Sequence, residues 1–171
     1  MESNGKTVGV DGAPLDRPSS AILWGGVGTD AQHAVFQLLH QGSHLVPVDF
    51  IAVIEQDDHQ DPRMHRMLLL NAFAQGAALM AGKEADEAAR SYPGDRPSTT
   101  ILIDEMVPAR LGALIAFYEH RTFVEASLLG LNPFDQFGVE LGKEMALKIE
   151  DPETRSGFDP STRALIEKAG L

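Results

Sequence analysis

Cysteine is absent from this 171-residue chain. That removes disulfides, thiolate nucleophiles and cysteine-ligated zinc at once. A cysteine-free domain of ordinary size suits a reducing compartment, so a cytoplasmic location is expected. Basic residues are scarce as well: 14 lysines and arginines face 25 aspartates and glutamates, a formal net charge of −11. Such a chain repels phosphate backbones, which argues against nucleic acid or an anionic membrane as a partner. A small anionic ligand stays open, because local backbone dipoles can hold a phosphate against the net charge. No apolar run approaches the roughly 20 residues that a membrane helix needs. The opening Met1–Lys6 lacks the basic-then-apolar texture of a secretory signal. What is present is an ordinary globular composition, 43% apolar and 23% charged, at a length that suits one domain.

Residues 1–19 are rich in Gly, Pro, Ser and Asp and read as a loop or N-terminal arm. Residues 20–150 alternate short apolar runs with longer helical spacings, the pattern of an α/β layered sheet flanked by helices. Ala21–Trp24, Leu45–Ile54 and Thr99–Asp104 read as its three strands. Helices are expected from Thr29 or Asp30 to Gly42, over Met64–Met80, over Lys83–Arg90, from Pro108 almost to Gly130, and over Asp135–Lys148. Residues 151–171 read as a polar linker and a last helix over Ser161–Lys168. Three strands make a thin sheet, which a missing partner could complete.

Four groupings could carry chemistry, and each has a plainer reading. The turn Gly25-Gly26-Val27-Gly28-Thr29-Asp30 could bring backbone N–H groups close to an anion, yet tight glycine turns are more often only geometry. His33, His40 and His44 fall within one arc of a helix, but Gly42 should end that helix before His44. No carboxylate shares the stripe, so surface or structural histidines are the better reading and no metal site is expected. In Asp57-Asp58-His59-Gln60-Asp61 an imidazole sits among carboxylates that would favour its proton exchange near neutral pH; alone it reads as a solvated acidic loop. Gln136, Glu140 and Lys143 fall four and three apart and should share a helix face, with a Glu–Lys surface pair as the plain alternative.

The stretch Gly130–Lys143, with F-D-Q-x-G-V-E followed by G-K, resembles the C-terminal signature of the glucose-6-phosphate isomerase family. Other stretches agree in order: M-E-S-N-G-K at Met1–Lys6, G-T-D-A-Q-H-A-V-F-Q-L-L-H-Q-G at Gly28–Gly42, G-D-R-P-S-T at Gly94–Thr99 and L-G-A-L-I-A-F-Y-E-H at Leu111–His120. A weaker match surrounds Asp159–Ile166. The resemblance implies a sugar-isomerase-type α/β domain, incomplete relative to a two-domain family. It also implies an aldose–ketose isomerase of glycolysis and gluconeogenesis that interconverts glucose 6-phosphate and fructose 6-phosphate. Such an enzyme works without a cofactor, as a cytoplasmic homodimer whose subunits share active sites.

Carried over residue by residue, the ring-opening histidine maps to His59, with His65 as the alternative because loop length varies here. Lys143 maps to the lysine at the ring oxygen, and Gln136 to a substrate contact. Two departures follow. The family's proton-shuttling glutamate, in the turn after Trp-Gly, is Gly26 here, with Asp30 as a nearby carboxylate. The family's phosphate-binding loop and first domain lie upstream of M-E-S-N-G-K, so the chain is expected to be a C-terminal portion with little or no activity alone. The rival reading is a non-catalytic sugar-phosphate-binding or interaction module derived from the isomerase. A fragment that depends on a partner for its folding is a third.

Overall fold

The structure, a computed structural model, describes residues 1–56 and 61–171. Its helices are α1 (Gly28–Ala34), α2 (Phe36–Gln41), α3 (Pro62–Ala81), α4 (Pro108–Leu129), α5 (Phe137–Glu150), α6 (Pro152–Arg155) and α7 (Pro160–Ala169). Its strands are β1 (Val48–Val53) and β2 (Ser98–Ile103), with a 3-10 turn at Ala88–Arg90. Contacts divide the chain into two units. One comprises Leu23–Tyr118, and the other comprises Met1–Ile22 together with Glu119–Leu171.

In the first unit β1 and β2 pair in parallel, in register from Val48 opposite Ser98 to Val53 opposite Ile103. Parallel neighbours need a long crossover, and α3 supplies it, packing on both strands. Asp61 starts α3: its carboxylate accepts from the Arg63 N–H at 2.8 Å, and Pro62 occupies the first turn, where a missing N–H costs nothing. Gly82 ends α3 at φ +65°. A Cβ there would lie 2.5 Å from both the Tyr92 carbonyl oxygen and the Gly94 nitrogen, so only glycine permits the approach.

That approach explains why the expected helix over Lys83–Arg90 shrinks to the 3-10 turn. Lys83 and Tyr92 pair their backbones instead, at 2.9 and 2.7 Å. Arg96, just before β2, holds the end of α2: its guanidinium donates to the Gly42 carbonyl at 2.8 Å and the His44 carbonyl at 3.1 Å. Leu39, Ala52, Leu79 and Ile103 are the buried apolar side chains of this unit.

The α/β reading holds, with a smaller sheet than expected. Ala21–Trp24 forms no strand, and Ile22, Leu23 and Trp24 are exposed. Strand geometry needs a neighbour to take its N–H and C=O groups, and neither β1 nor β2 pairs with this run.

In the second unit the expected loose arm is tied down. Asn4 is 2% exposed and donates to the Thr122 carbonyl at 3.0 Å. The Lys6 ammonium lies 3.1 Å from Asp135 Oδ1 and donates to the Asp135 carbonyl at 2.9 Å. The Val10 N–H donates to the Gly130 carbonyl at 2.8 Å. Contacts divide the chain at 22/23 and 118/119. These ties join residues more than a hundred positions apart, a separation that local composition cannot register. Ala126, Leu131 and Ile166 are buried here. The expected linker after Asp151 also contains the short α6, started by the Asp151 carboxylate accepting from the Glu153 N–H.

Candidate functional site

In a parallel sheet, ligands gather where the strands end at their carboxyl side. The first unit has an open cleft of about 1130 Å³ at that position, and Gly26, Glu55, His65 and Glu105 are among its lining residues. Backbone bonding continues one step past each strand: the Ile54 N–H donates to the Ile103 carbonyl at 2.8 Å and the Glu55 N–H to the Asp104 carbonyl at 2.7 Å. Residue 55 is thus held where β1 stops.

Gly25, Gly26 and Gly28 form one wall. None is among the positive-φ glycines, and an added Cβ at any of them would meet nothing within 4 Å. Backbone geometry therefore does not demand glycine at these positions; what glycine does is leave the wall bare and the cleft wide. The turn leads directly into α1, which runs seven residues, and Val27, at its start, gives no side-chain cap. Asp30, the carboxylate nearest to Gly26 in sequence, is an exposed residue of α1.

His65 stands half-buried in the first turn of α3, with Nε2 2.9 Å from the Ile54 carbonyl oxygen. A carbonyl only accepts, so Nε2 carries the hydrogen and Nδ1 is left for other work. His59 lies outside the described residues.

The histidines of α1 and α2 do not converge. Val35 interrupts the helix between Ala34 and Phe36, which breaks the single arc that the spacing implies. His40 bonds to Gln75 Oε1 at 2.9 Å and packs edge-on against Tyr92, while His33 and His44 are exposed. Among the described residues no three His, Asp or Glu side chains gather closely enough to hold a metal ion.

Gln136 and Lys143 belong to the second unit. α5 begins at Phe137 rather than Asp135, so Gln136 is its N-terminal flanking residue, with φ −147° and ψ 55°. The helical offset from Gln136 to Glu140 and Lys143 therefore does not apply as expected. Both Gln136 and Lys143 are exposed. Among the described residues the Lys143 ammonium has no acidic partner, Glu140 included. The plain Glu–Lys surface pair is thus not what holds this lysine.

The cleft contains the glycine turn and also His65, which the family resemblance offers as the alternative to His59. Sequence spacing missed Glu55, and the only signal for it was its place directly after a β-branched strand run.

Comparison with known proteins adds a consistent set of findings. The family described as phosphoglucose isomerase matches residues 1–166. A glucose-6-phosphate isomerase of Rhizorhabdus wittichii is 70% identical over 169 residues, covering 99% of this chain and 34% of the relative. One of Zymomonas mobilis is 68% identical over 169 residues, covering 99% and 33%. The crystal structure of a glucose-6-phosphate isomerase from Chlamydia trachomatis superposes with a TM-score of 0.86 at 35% identity, over 99% of this chain and 33% of that one. The chain thus spans about a third of the length of the relatives that it matches.

Proposed function

Since this chain belongs to the phosphoglucose isomerase family, we propose that it supplies part of the active site of a glucose-6-phosphate isomerase. The reaction is the interconversion of glucose 6-phosphate and fructose 6-phosphate by acid–base ring opening and proton transfer, with no cofactor. The observation that carries this reading is the family match along residues 1–166. The cleft at the carboxyl ends of β1 and β2 agrees with it: it is large enough for a hexose phosphate and combines a bare glycine wall with an imidazole and carboxylates.

Ring opening requires an acid–base group, for which His59 and His65 are the two candidates. The cleft supports His65, whose Nδ1 has no partner among the described residues while Nε2 meets the Ile54 carbonyl. Lys143 is proposed to act at the ring oxygen and Gln136 to bind the sugar. The full-length enzyme is proposed to be a cytoplasmic homodimer, acting on a small sugar phosphate and on neither nucleic acid nor membrane.

A coupled assay with glucose 6-phosphate tests the reading. The full-length protein carrying this chain should turn over, whereas purified residues 1–171 should not. Turnover by residues 1–171 in the ordinary enzyme range of about 1–1,000 per second would show that the chain is catalytically sufficient and sink the part-site reading. Binding of the sugar phosphate by the full-length protein without conversion would favour a non-catalytic module.

A further inference from the structure

Interconverting an aldose and a ketose moves a proton between adjacent carbons, and Gly26 has no side chain to carry it. Resting on the isomerase reading above, we infer that Glu55 is the catalytic carboxylate that moves this proton between C1 and C2. Three observations place it there. Its backbone is pinned at the carboxyl end of β1 by the 2.7 Å bond from its N–H to the Asp104 carbonyl. Its side chain lines the same cleft as Gly26 and His65. Among the described residues its carboxylate has no hydrogen-bond or ionic partner.

The other carboxylates of the cleft are engaged. Asp49 accepts the Tyr118 hydroxyl at 3.2 Å, and Glu105 lies 3.9 Å from the Arg110 guanidinium. The neighbouring chemistry fits as well. The Ile54 carbonyl, one residue before Glu55, is the group that orients His65. Ring opening and proton transfer would therefore be served from two consecutive positions of one strand end.

The step balances without any oxidant. In the open-chain aldose the Glu55 carboxylate takes the proton from C2. The C2–H electron pair becomes the C1=C2 bond, and the C1 carbonyl pair moves to O1, which picks up a proton from solvent. In the resulting enediol the O2 hydroxyl returns a proton to solvent and its pair forms C2=O. The C1=C2 pair then takes the proton back from the Glu55 carboxylic acid at C1. Nothing is gained or lost overall, and the carboxylate is regenerated.

Glu55→Gln in the full-length protein tests this, because the amide keeps the shape and loses the base. Turnover should fall by about 10²–10⁴-fold, the usual contribution of a positioned acid–base group, with KM little changed. Deuterium uptake from D2O at C2 should fall in parallel, while ring opening, followed by anomer exchange in NMR, continues. Glu55→Asp should recover part of the loss. Gly26→Glu placed in the Glu55→Gln background, where the added Cβ meets nothing within 4 Å, should return exchange, which a misfolded protein could not do. Wild-type turnover in Glu55→Gln, or equal loss of ring opening and C2 exchange, overturns the assignment while leaving the isomerase reading intact. An inactive wild-type protein instead overturns the isomerase reading, and this assignment with it.

Discussion

Asp159 shows how a single side chain sets an element boundary. Its Oδ1 accepts the N–H groups of Ser161 and Thr162 at 3.0 and 3.1 Å, and its Oδ2 takes the Thr162 hydroxyl at 2.6 Å. The Thr162 hydroxyl, and after it the backbone bonds, hold this carboxyl below its ordinary value of 3.8. A depressed carboxylate stabilises the fold fully above its ordinary value and loses that contribution as pH falls through the lowered one. Protection of the Ser161 and Thr162 amides against hydrogen exchange should therefore drop below about pH 4. Asp159→Ala should lower it above that pH and remove the pH dependence. The two histidines part at the same scale. His65→Gln in the full-length enzyme should cost about 10²–10⁴-fold in turnover on the closed sugar and far less on an open-chain substrate; a larger loss from His59→Gln would move the ring-opening role to that residue.

At the scale of elements, the chain is held by a few ties between helix ends and loops. Gly82 is one. Gly82→Ala would place a Cβ 2.5 Å from the Tyr92 carbonyl oxygen in a left-handed conformation. The unfolding free energy from denaturant titration should fall by more than the ~1 kcal/mol that an unstrained glycine-to-alanine change can return. Lys6 is another, joining the N-terminal segment to the start of α5 through both the carboxylate and the carbonyl of Asp135. Its side chain is 17% exposed and that of Asp135 23%, so the pair is shielded more than a surface ion pair. Lys6→Met should cost about 1.5–3 kcal/mol, the range for hydrogen bonds to charged groups, and should raise proteolysis within residues 1–22. The M-E-S-N-G-K and F-D-Q stretches were legible in the sequence as separate motifs. Their joining through Lys6 and Asp135 was not, because it depends on a chain reversal that neither motif encodes.

For the molecule as a whole, seven apolar side chains are buried among the described residues, against thirty-three large hydrophobic ones left exposed. Burying an exposed leucine or phenylalanine contributes about 1.5–3 kcal/mol, so this chain leaves unused much of the stabilisation that its composition offers. Purified residues 1–171 should accordingly melt broadly and bind a hydrophobic dye, and joining them to the rest of a full-length enzyme should sharpen the transition; a cooperative melt of the isolated chain would contradict this. The order of elements was readable from the sequence. The strand runs at Leu45–Ile54 and Thr99–Asp104, the long helix from Pro108 to Gly130 and the last helix over Ser161–Lys168 rest on local propensity, which a linear string records directly. The absence of a strand at Ala21–Trp24, the break at Val35, the anchoring of Asn4 and the placement of Glu55 and His65 around one carbonyl were decided by tertiary structure. The placement of Glu55 and His65 follows the parallel pairing of β1 with β2, which brings residues some fifty positions apart into register, and the anchoring of Asn4 follows the Thr122 carbonyl, 118 positions away in the chain; neither partner is local enough for a linear string to record.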